Sequence, residues 1–309
     1  MTSSRIVTLT VNPALDLAAE AASVRPVHKI RTFGEHYDAG GGGINVARVV
    51  HALGGDTLAL FAAGGATGRM IEEMLSEAGV PWQCVPVAGT TRISLTVREQ
   101  ESGLEYRFVP QGPAFNVADG DRILATLAGL EAKWVVASGS LPPGLATDFY
   151  ARAAHIASAR GARFALDTSG AALKASLGQG IDLLKLSLGE LESIAGQEVR
   201  APEVQAQQAQ GMVRAGRARM IALTLGRDGA LLATADRVMR APAIPVTEHS
   251  TVGAGDSFLA GLILGLVQGL SDRDSLRLAL AAAAAAVASE GTARISRSKV
   301  DALVVQCPA

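Results

Sequence analysis

Ser250-Thr251-Val252-Gly253-Ala254-Gly255-Asp256-Ser257 runs directly into an apolar helical pattern, Phe258 to Leu270. Glycines at a helix start let backbone N–H groups close on an anion, and the helix dipole adds favourable charge there. An aspartate in the first turn has two readings. It is an N-terminal cap, or it is a general base. As a base it takes a proton from a substrate hydroxyl while the Gly253, Ala254 and Gly255 amides hold the charge growing on a transferred phosphoryl group. The cluster is neither of two other phosphate-binding patterns. A dinucleotide fingerprint directly follows the first strand, and no GxxxxGK[ST] run occurs in the chain.

Outward from this stretch, short apolar runs alternate with helical patterns. Arg5 to Val11, Thr57 to Ala63, Lys133 to Ala137, Arg163 to Asp167, Asp182 to Leu186 and Met220 to Leu225 read as buried strands. Ile44 to Leu53, Thr67 to Ala78, Ala118 to Leu130, Ala146 to Ala159 and Glu203 to Ala215 read as helices. The alternation predicts an α/β fold, a mainly parallel sheet with helices on both faces. Ligands in such sheets bind beyond the carboxyl ends of the strands. The alanine run Ala281 to Ala286 reads as the interior of a tightly packed helix.

One region breaks the alternation. Arg92 to Glu99 and Glu105 to Pro110 flank Glu101-Ser102-Gly103, a hairpin signal with glycine at a positive-φ position. Thr32 to Tyr37 is a candidate to pair with that hairpin. The expectation is a single domain, 1–309, with a β lid formed by about 12–40 and 89–113.

Asp38-Ala39-Gly40-Gly41-Gly42-Gly43-Ile44-Asn45 is a second glycine cluster, followed by Arg48. Four consecutive glycines are costly to order but allow a ligand to approach the backbone closely. Asn45 and Arg48 share a helix face. The first strand ends in Asn12-Pro13-Ala14-Leu15-Asp16, which puts a hydroxyl-gripping carboxylate near the strand's end. Lys29, Arg92 and Arg107 sit on or beside the lid, where a phosphate would need such donors. Lys185-Leu186-Ser187-Leu188-Gly189-Glu190 and Thr224-Leu225-Gly226-Arg227-Asp228-Gly229 each end a strand where a nucleotide can lie.

Composition excludes several classes. The 309 residues carry 28 Lys and Arg against 29 Asp and Glu, a balance that argues against a dedicated nucleic-acid binder. Cys84 and Cys307 are too few for a disulfide scaffold or a Cys-rich zinc site, and the five histidines form no ligand pattern. Ser140 lies in SGSLPPG rather than a GxSxG elbow, so a hydrolase triad has no support. The first residues lack the long apolar run of a signal peptide. Phe258 to Val267 and Leu276 to Ala288 are shorter than a membrane span. The expectation is a soluble cytoplasmic protein without nucleic-acid or membrane partners.

TLTVNPALD, GGGGINVAR, FAAGGATG, YRFVPQGPAFN, SGSLPPG, LDTSG, LTLGRDGALL and STVGAGDSFLAG, in this order along nearly the whole chain, resemble the ribokinase-like carbohydrate kinases of the phosphofructokinase B family. The resemblance implies a three-layer αβα core with a β lid. The usual state is a homodimer whose lids meet. It implies transfer of the ATP γ-phosphate to a sugar hydroxyl with Mg²⁺, and in several members a potassium ion. Asp256 then matches the base, and Gly253, Ala254 and Gly255 the anion hole. Asp16, Gly41, Gly42, Asn45 and Ser140 match sugar-binding positions, and Lys29, Arg92 and Arg107 those that hold a substrate phosphate. Lys185, Ser187, Thr224, Gly226 and Gly229 fall on the nucleotide side. Glu190 matches a residue that organises water around Mg²⁺, and Thr251 offers a carbonyl to potassium.

GGGG before Asn45, rather than GGKG, is similar to the fructose-6-phosphate branch. The expected reaction is phosphorylation of fructose 6-phosphate at its 1-hydroxyl. Tagatose-6-phosphate kinase and 1-phosphofructokinase are the alternatives within the family, and an impaired sugar-binding or regulatory protein the alternative outside catalysis. Ser187 departs from the family, which commonly carries Asn three residues before the glutamate. That departure puts nucleotide handling in doubt, and a water filling the gap left by the shorter side chain is the expected remedy.

Overall fold

The computed structural model describes residues 4–289 and 295–307, so the ends of the single-domain reading, 1–3 and 308–309, and residues 290–294 lie outside the described residues. In chain order the strands are β1 (Ile6–Thr10), β2 (Ala14–Ala21), β3 (Thr32–Gly40), β4 (Thr57–Ala63), β5 (Trp82–Pro86), β6 (Arg92–Glu99), β7 (Glu105–Phe108), β8 (Trp134–Ser138), β9 (Arg163–Asp167), β10 (Leu183–Ser187), β11 (Met220–Thr224), β12 (Ala230–Ala233) and β13 (Val238–Ala241). The helices are α1 (Gly42–Ala52), α2 (Gly65–Glu77), α3 (Val117–Ala128), α4 (Phe149–Ala159), α5 (Gly170–Ser176), α6 (Leu188–Ala195), α7 (Pro202–Arg214), α8 (Ala254–Gln268), α9 (Asp272–Val287) and α10 (Arg297–Gln306).

Nine strands form the main sheet, in the order β13-β12-β11-β10-β9-β8-β1-β4-β5. All pairings are parallel except those of β12 and β13, which close the edge as antiparallel strands. Alternate residues of each strand enter different cores. Val7 and Leu9 of β1 pack with α3, α4 and α7, whereas Ile6 packs with α8, α9 and α10. The two apolar layers explain why the central strands read as continuous hydrophobic runs. Helix α8 is buried along most of its length. Its Gly261 and Gly265 lie against the backbone of α9 near Ala279 and Ser275. That close approach is why the alanine run of α9 is buried rather than a linker. Among the described residues no helix is long and apolar enough to cross a membrane.

A second sheet of four strands, ordered β3-β2-β6-β7, is the predicted lid. β6 and β7 form the expected antiparallel hairpin, and Gly103 in its turn has φ 72°. One expectation needs correction. β3 pairs with β2, not with the hairpin, and β2 in turn pairs in parallel with β6. Asp16 therefore belongs to this lid strand, beyond the Pro13 turn, rather than to the end of β1.

The chain progresses outward from β1 to β4 and β5, then restarts on β1's other side with β8. The carboxyl ends of β1 and β8 thus mark the switch point, where an open α/β sheet forms its binding crevice.

Candidate active site

Asp256 stands in the first turn of α8, but it is not the cap. Gly253 occupies the N-cap with φ 77°, and no side chain caps the helix. The Asp256 carboxylate faces the crevice instead. Asn45 Nδ2, from the first turns of α1, donates to its Oδ2 at 2.9 Å, and Ser138 Oγ, at the end of β8, donates to its Oδ1 at 3.4 Å. Gly42 lies directly above this pair. A β-carbon there would overlap the Ser138 hydroxyl and come within 3.1 Å of Asp256 Oδ1. The second glycine cluster is therefore needed for close approach to the carboxylate.

Burial pushes the Asp256 carboxyl up to about 7, and the negative charge of Asp167 adds to the rise. The Asn45 and Ser138 hydrogen bonds and the charge of Lys185 act the other way. Lys185 Nζ pairs with both oxygens of Asp167, at 3.2 and 3.0 Å, with both side chains largely buried. The lysine is held charged by Asp167, Asp256 and Glu190 against the cost of burial. A carboxyl tuned close to neutrality, inside a crevice, has the profile of a proton acceptor.

Two pockets meet at this turn. A smaller one, of about 250 Å³, is lined by Asp16, Gly41, Asn45, Arg92, Ser94, Arg107 and Asp256 among others. The lid register explains the gathering: Asp16 pairs with Ser94 and Thr96 with Arg107, so these side chains share the crevice face of the small sheet. Burial and Asp38 raise the Asp16 carboxyl to about 6, opposed by Arg92, Arg107 and Arg48. The arginines differ. Arg92 spends its guanidinium on the carbonyls of Pro13, Pro110 and Asn12, which ties the lid to the end of β1. The Arg107 guanidinium makes no hydrogen bond among the described residues, and its donors are free for a ligand.

The larger pocket, about 720 Å³, lies on the far side of the GAGD turn and shares Thr251 with the smaller one. Thr224, Gly226, Gly229, Ala254 and Gly255 line it, together with apolar side chains from Ile244 to Val287. Lys185 reaches the same turn, close under Gly255. Ser187 and Glu190 form a reciprocal capping box on α6: Glu190 Oε2 accepts from the Ser187 N–H at 2.8 Å, and Ser187 Oγ from the Glu190 N–H at 3.3 Å.

Six predicted residues line neither pocket: Gly42, Lys185, Ser187 and Glu190, besides Lys29 and Ser140. Lys29 lies exposed in the 22–31 connection between β2 and β3, outside both linings. Ser140 is exposed and receives a hydrogen bond from Asn12 Nδ2 at 3.2 Å. Ser138, two residues earlier in the same SGS run, is the serine that touches Asp256. Asp167, from the LDTSG run, and Ser94 were likewise not singled out by the sequence. Their roles arise from strand-end neighbours rather than from any spacing along the chain.

Among the described residues no group of three or more His, Cys, Asp or Glu forms a resident metal site. Asp167, Glu190 and Asp256 all act on Lys185. Such hard carboxylate oxygens fit a Mg²⁺ ion that arrives on a polyphosphate and completes its shell with phosphate oxygens and water.

Comparison with known proteins gives the family. Residues 10–299 match the model of the pfkB family carbohydrate kinases. The chain is 45% identical over 299 residues to the ATP-dependent 6-phosphofructokinase isozyme 2 of Mycobacterium tuberculosis, covering 96% of this chain and 88% of that one. It is 37% identical over 290 residues to the protein of the same name from Escherichia coli, covering 93% and 94%. The solved phosphofructokinase-2 of Escherichia coli in complex with potassium superposes with a TM-score of 0.93 at 35% identity, covering 98% of each chain. A ribokinase from Arabidopsis thaliana, at 22% identity and a TM-score of 0.80, shares the fold. The chain belongs to the pfkB family of carbohydrate kinases. It is a phosphotransferase acting on an alcohol group.

Proposed function

We infer that this enzyme transfers the γ-phosphate of ATP to the 1-hydroxyl of fructose 6-phosphate, giving fructose 1,6-bisphosphate. One observation carries the reading: the smaller pocket holds a near-neutral carboxylate, Asp256, together with a guanidinium, Arg107, whose donors are free. That pairing suits a sugar with a hydroxyl to be activated and a phosphate already in place. The 6-phosphofructokinase names of the more similar relatives support the same substrate. Relatives named 1-phosphofructokinase and tagatose-6-phosphate kinase are less similar, at 34% and 27% identity.

In the mechanism, Asp16 and Asn45 grip sugar hydroxyls, and Arg107 holds the 6-phosphate. Asp256 takes the proton from the 1-hydroxyl as its oxygen attacks in line. The N–H groups of Gly253, Ala254 and Gly255 face the charge that spreads over the transferred group. Lys185 supports the polyphosphate from beneath the turn, with the nucleotide in the larger pocket along Thr224, Gly226 and Gly229. Mg²⁺ bound with ATP would neutralise phosphate charge, and Asp167 and Glu190 are the residues that would hold its water shell. Thr251, between the pockets, is the proposed carbonyl donor to a potassium ion. Closure of the lid excludes water and limits wasteful ATP hydrolysis.

The lid's other face carries Tyr37, Ile93 and Phe108, each at least 42% exposed. By strand alternation these point away from Asp16 and Arg107. That apolar surface supports a homodimer in which two lids meet. Free thiols at Cys84 and Cys307 suit a reducing cytoplasm. Phosphorus NMR of the product tests the reaction: two phosphomonoester signals, from C1 and C6, support it, and an unchanged fructose 6-phosphate spectrum refutes it.

A further inference from the structure

The wall of the larger pocket is nearly free of charge. Ile244, Val246, Phe258, Leu280 and Val287 give it an apolar surface, and the Thr224 hydroxyl is already committed to the Leu186 carbonyl at 3.2 Å. Among the described lining residues, only Arg227 and Glu248 are charged. Arg227 lies in the 3₁₀ turn Gly226–Asp228 that follows β11. Glu248 lies in the irregular segment between β13 and α8. The two sides of the pocket meet through Arg227 Nη2 and Glu248 Oε2, 2.7 Å apart. The Arg227 side chain is 92% exposed and that of Glu248 42%. A pair this open adds little to folding stability and separates readily. It is not a staple of the fold.

We propose that this ion pair is an electrostatic latch on the nucleotide pocket, in which Glu248 holds Arg227 until a polyphosphate takes its place. The proposal rests on the reading of the larger pocket as the nucleotide site. A nucleoside triphosphate brings several negative charges to walls that offer one cation and one anion. Its phosphate oxygens compete with the carboxylate for the same planar guanidinium fork. Glu248 opposes binding twice, by occupying Arg227 and by repelling the incoming anion. The two residues therefore act with opposite signs: Arg227 raises nucleotide affinity and Glu248 lowers it. A purely structural clasp behaves otherwise. Cutting either end of a clasp loosens the same contact and moves affinity in one direction.

The test is calorimetric titration of the intact enzyme with Mg²⁺-ATP, without sugar, for wild type, Arg227→Ala, Glu248→Gln and the double variant. The latch predicts weakening by about three- to fivefold in Arg227→Ala, the scale an exposed ion pair supports. It predicts tightening by a similar factor in Glu248→Gln, and a double variant that binds more tightly than Arg227→Ala and more weakly than Glu248→Gln. Fructose 6-phosphate affinity stays the same throughout. Shifts of the same sign in the two single variants, or no shift in either, overturn the latch while leaving the nucleotide pocket in place. Failure of the wild type to bind Mg²⁺-ATP overturns the reading of the pocket and the latch with it.

Discussion

Asn45 Nδ2 donates to Asp256 Oδ2 at 2.9 Å, joining α1, which starts in the run of four glycines, to α8, which starts at the GAGD turn. The two residues are 211 positions apart in sequence, yet they fix one carboxylate between two pockets. With Ser138 on the other oxygen, the base is oriented before any substrate arrives.

Asp256→Asn keeps this geometry and removes the base. Turnover should fall by at least about 10²–10⁴, with Mg²⁺-ATP affinity retained. Near-normal turnover in steady-state assays of the variant contradicts the role.

The pH dependence follows from the same group. Its carboxyl is raised to about 7, and a base works only when ionised, so kcat should fall as pH drops through that value. Asp167→Asn removes a charge that raises it, and should move the acidic limb of the profile to lower pH. The stability consequence has the opposite slope. Between the ordinary carboxyl value, 3.8, and about 7, the folded protein binds a proton at this group that the unfolded chain has lost. Stability contributed by Asp256 is therefore lost as pH rises through this window. Asp256→Asn should raise the melting temperature at pH 8, measured by thermal denaturation.

Gly42→Ala separates close approach from helix preference. Alanine in α1 would ordinarily favour the helix by about 1 kcal/mol. Here its β-carbon meets the Ser138 hydroxyl and Asp256. The variant should lose at least about tenfold in kcat, the cost of a slightly misplaced base. Unchanged kcat would show that the glycine serves only the backbone.

The sequence disclosed the central sheet because β1, β4 and β8 to β11 are buried on both faces, leaving unbroken apolar runs. It hid β2, which lies in the half-exposed lid, β5, a partly exposed edge strand, and the four-residue strands β12 and β13. The glycine clusters and Asp256 were legible because their chemistry is local. Ser138 and Asp167 stood inside recognisable runs, but the partner of each side chain comes from another strand or helix. Lys29 was read from its charge, its place beside the lid and the family resemblance, and it lines neither pocket.

Arg107→Ala should raise KM for fructose 6-phosphate by about 10- to 100-fold, the range for losing charge-assisted hydrogen bonds. Activity on free fructose should be unaffected. Arg92→Ala should cost stability as well, because three backbone carbonyls lose their donor. Equal effects of Arg107→Ala on phosphorylated and free sugar would remove it from the phosphate site.

Ser187→Asn should leave activity unchanged or raise it, since asparagine caps a helix as well as serine. Ser187→Ala breaks the capping box with Glu190 and should cost about 1 kcal/mol in chemical denaturation. A large loss of turnover in Ser187→Asn would contradict this account of the α6 cap.

The most direct test of the enzyme's assignment is ADP production from Mg²⁺-ATP with fructose 6-phosphate beside tagatose 6-phosphate, fructose 1-phosphate and fructose. The account predicts the highest kcat/KM for fructose 6-phosphate. A higher value for any of the others, or no turnover with fructose 6-phosphate, would contradict it.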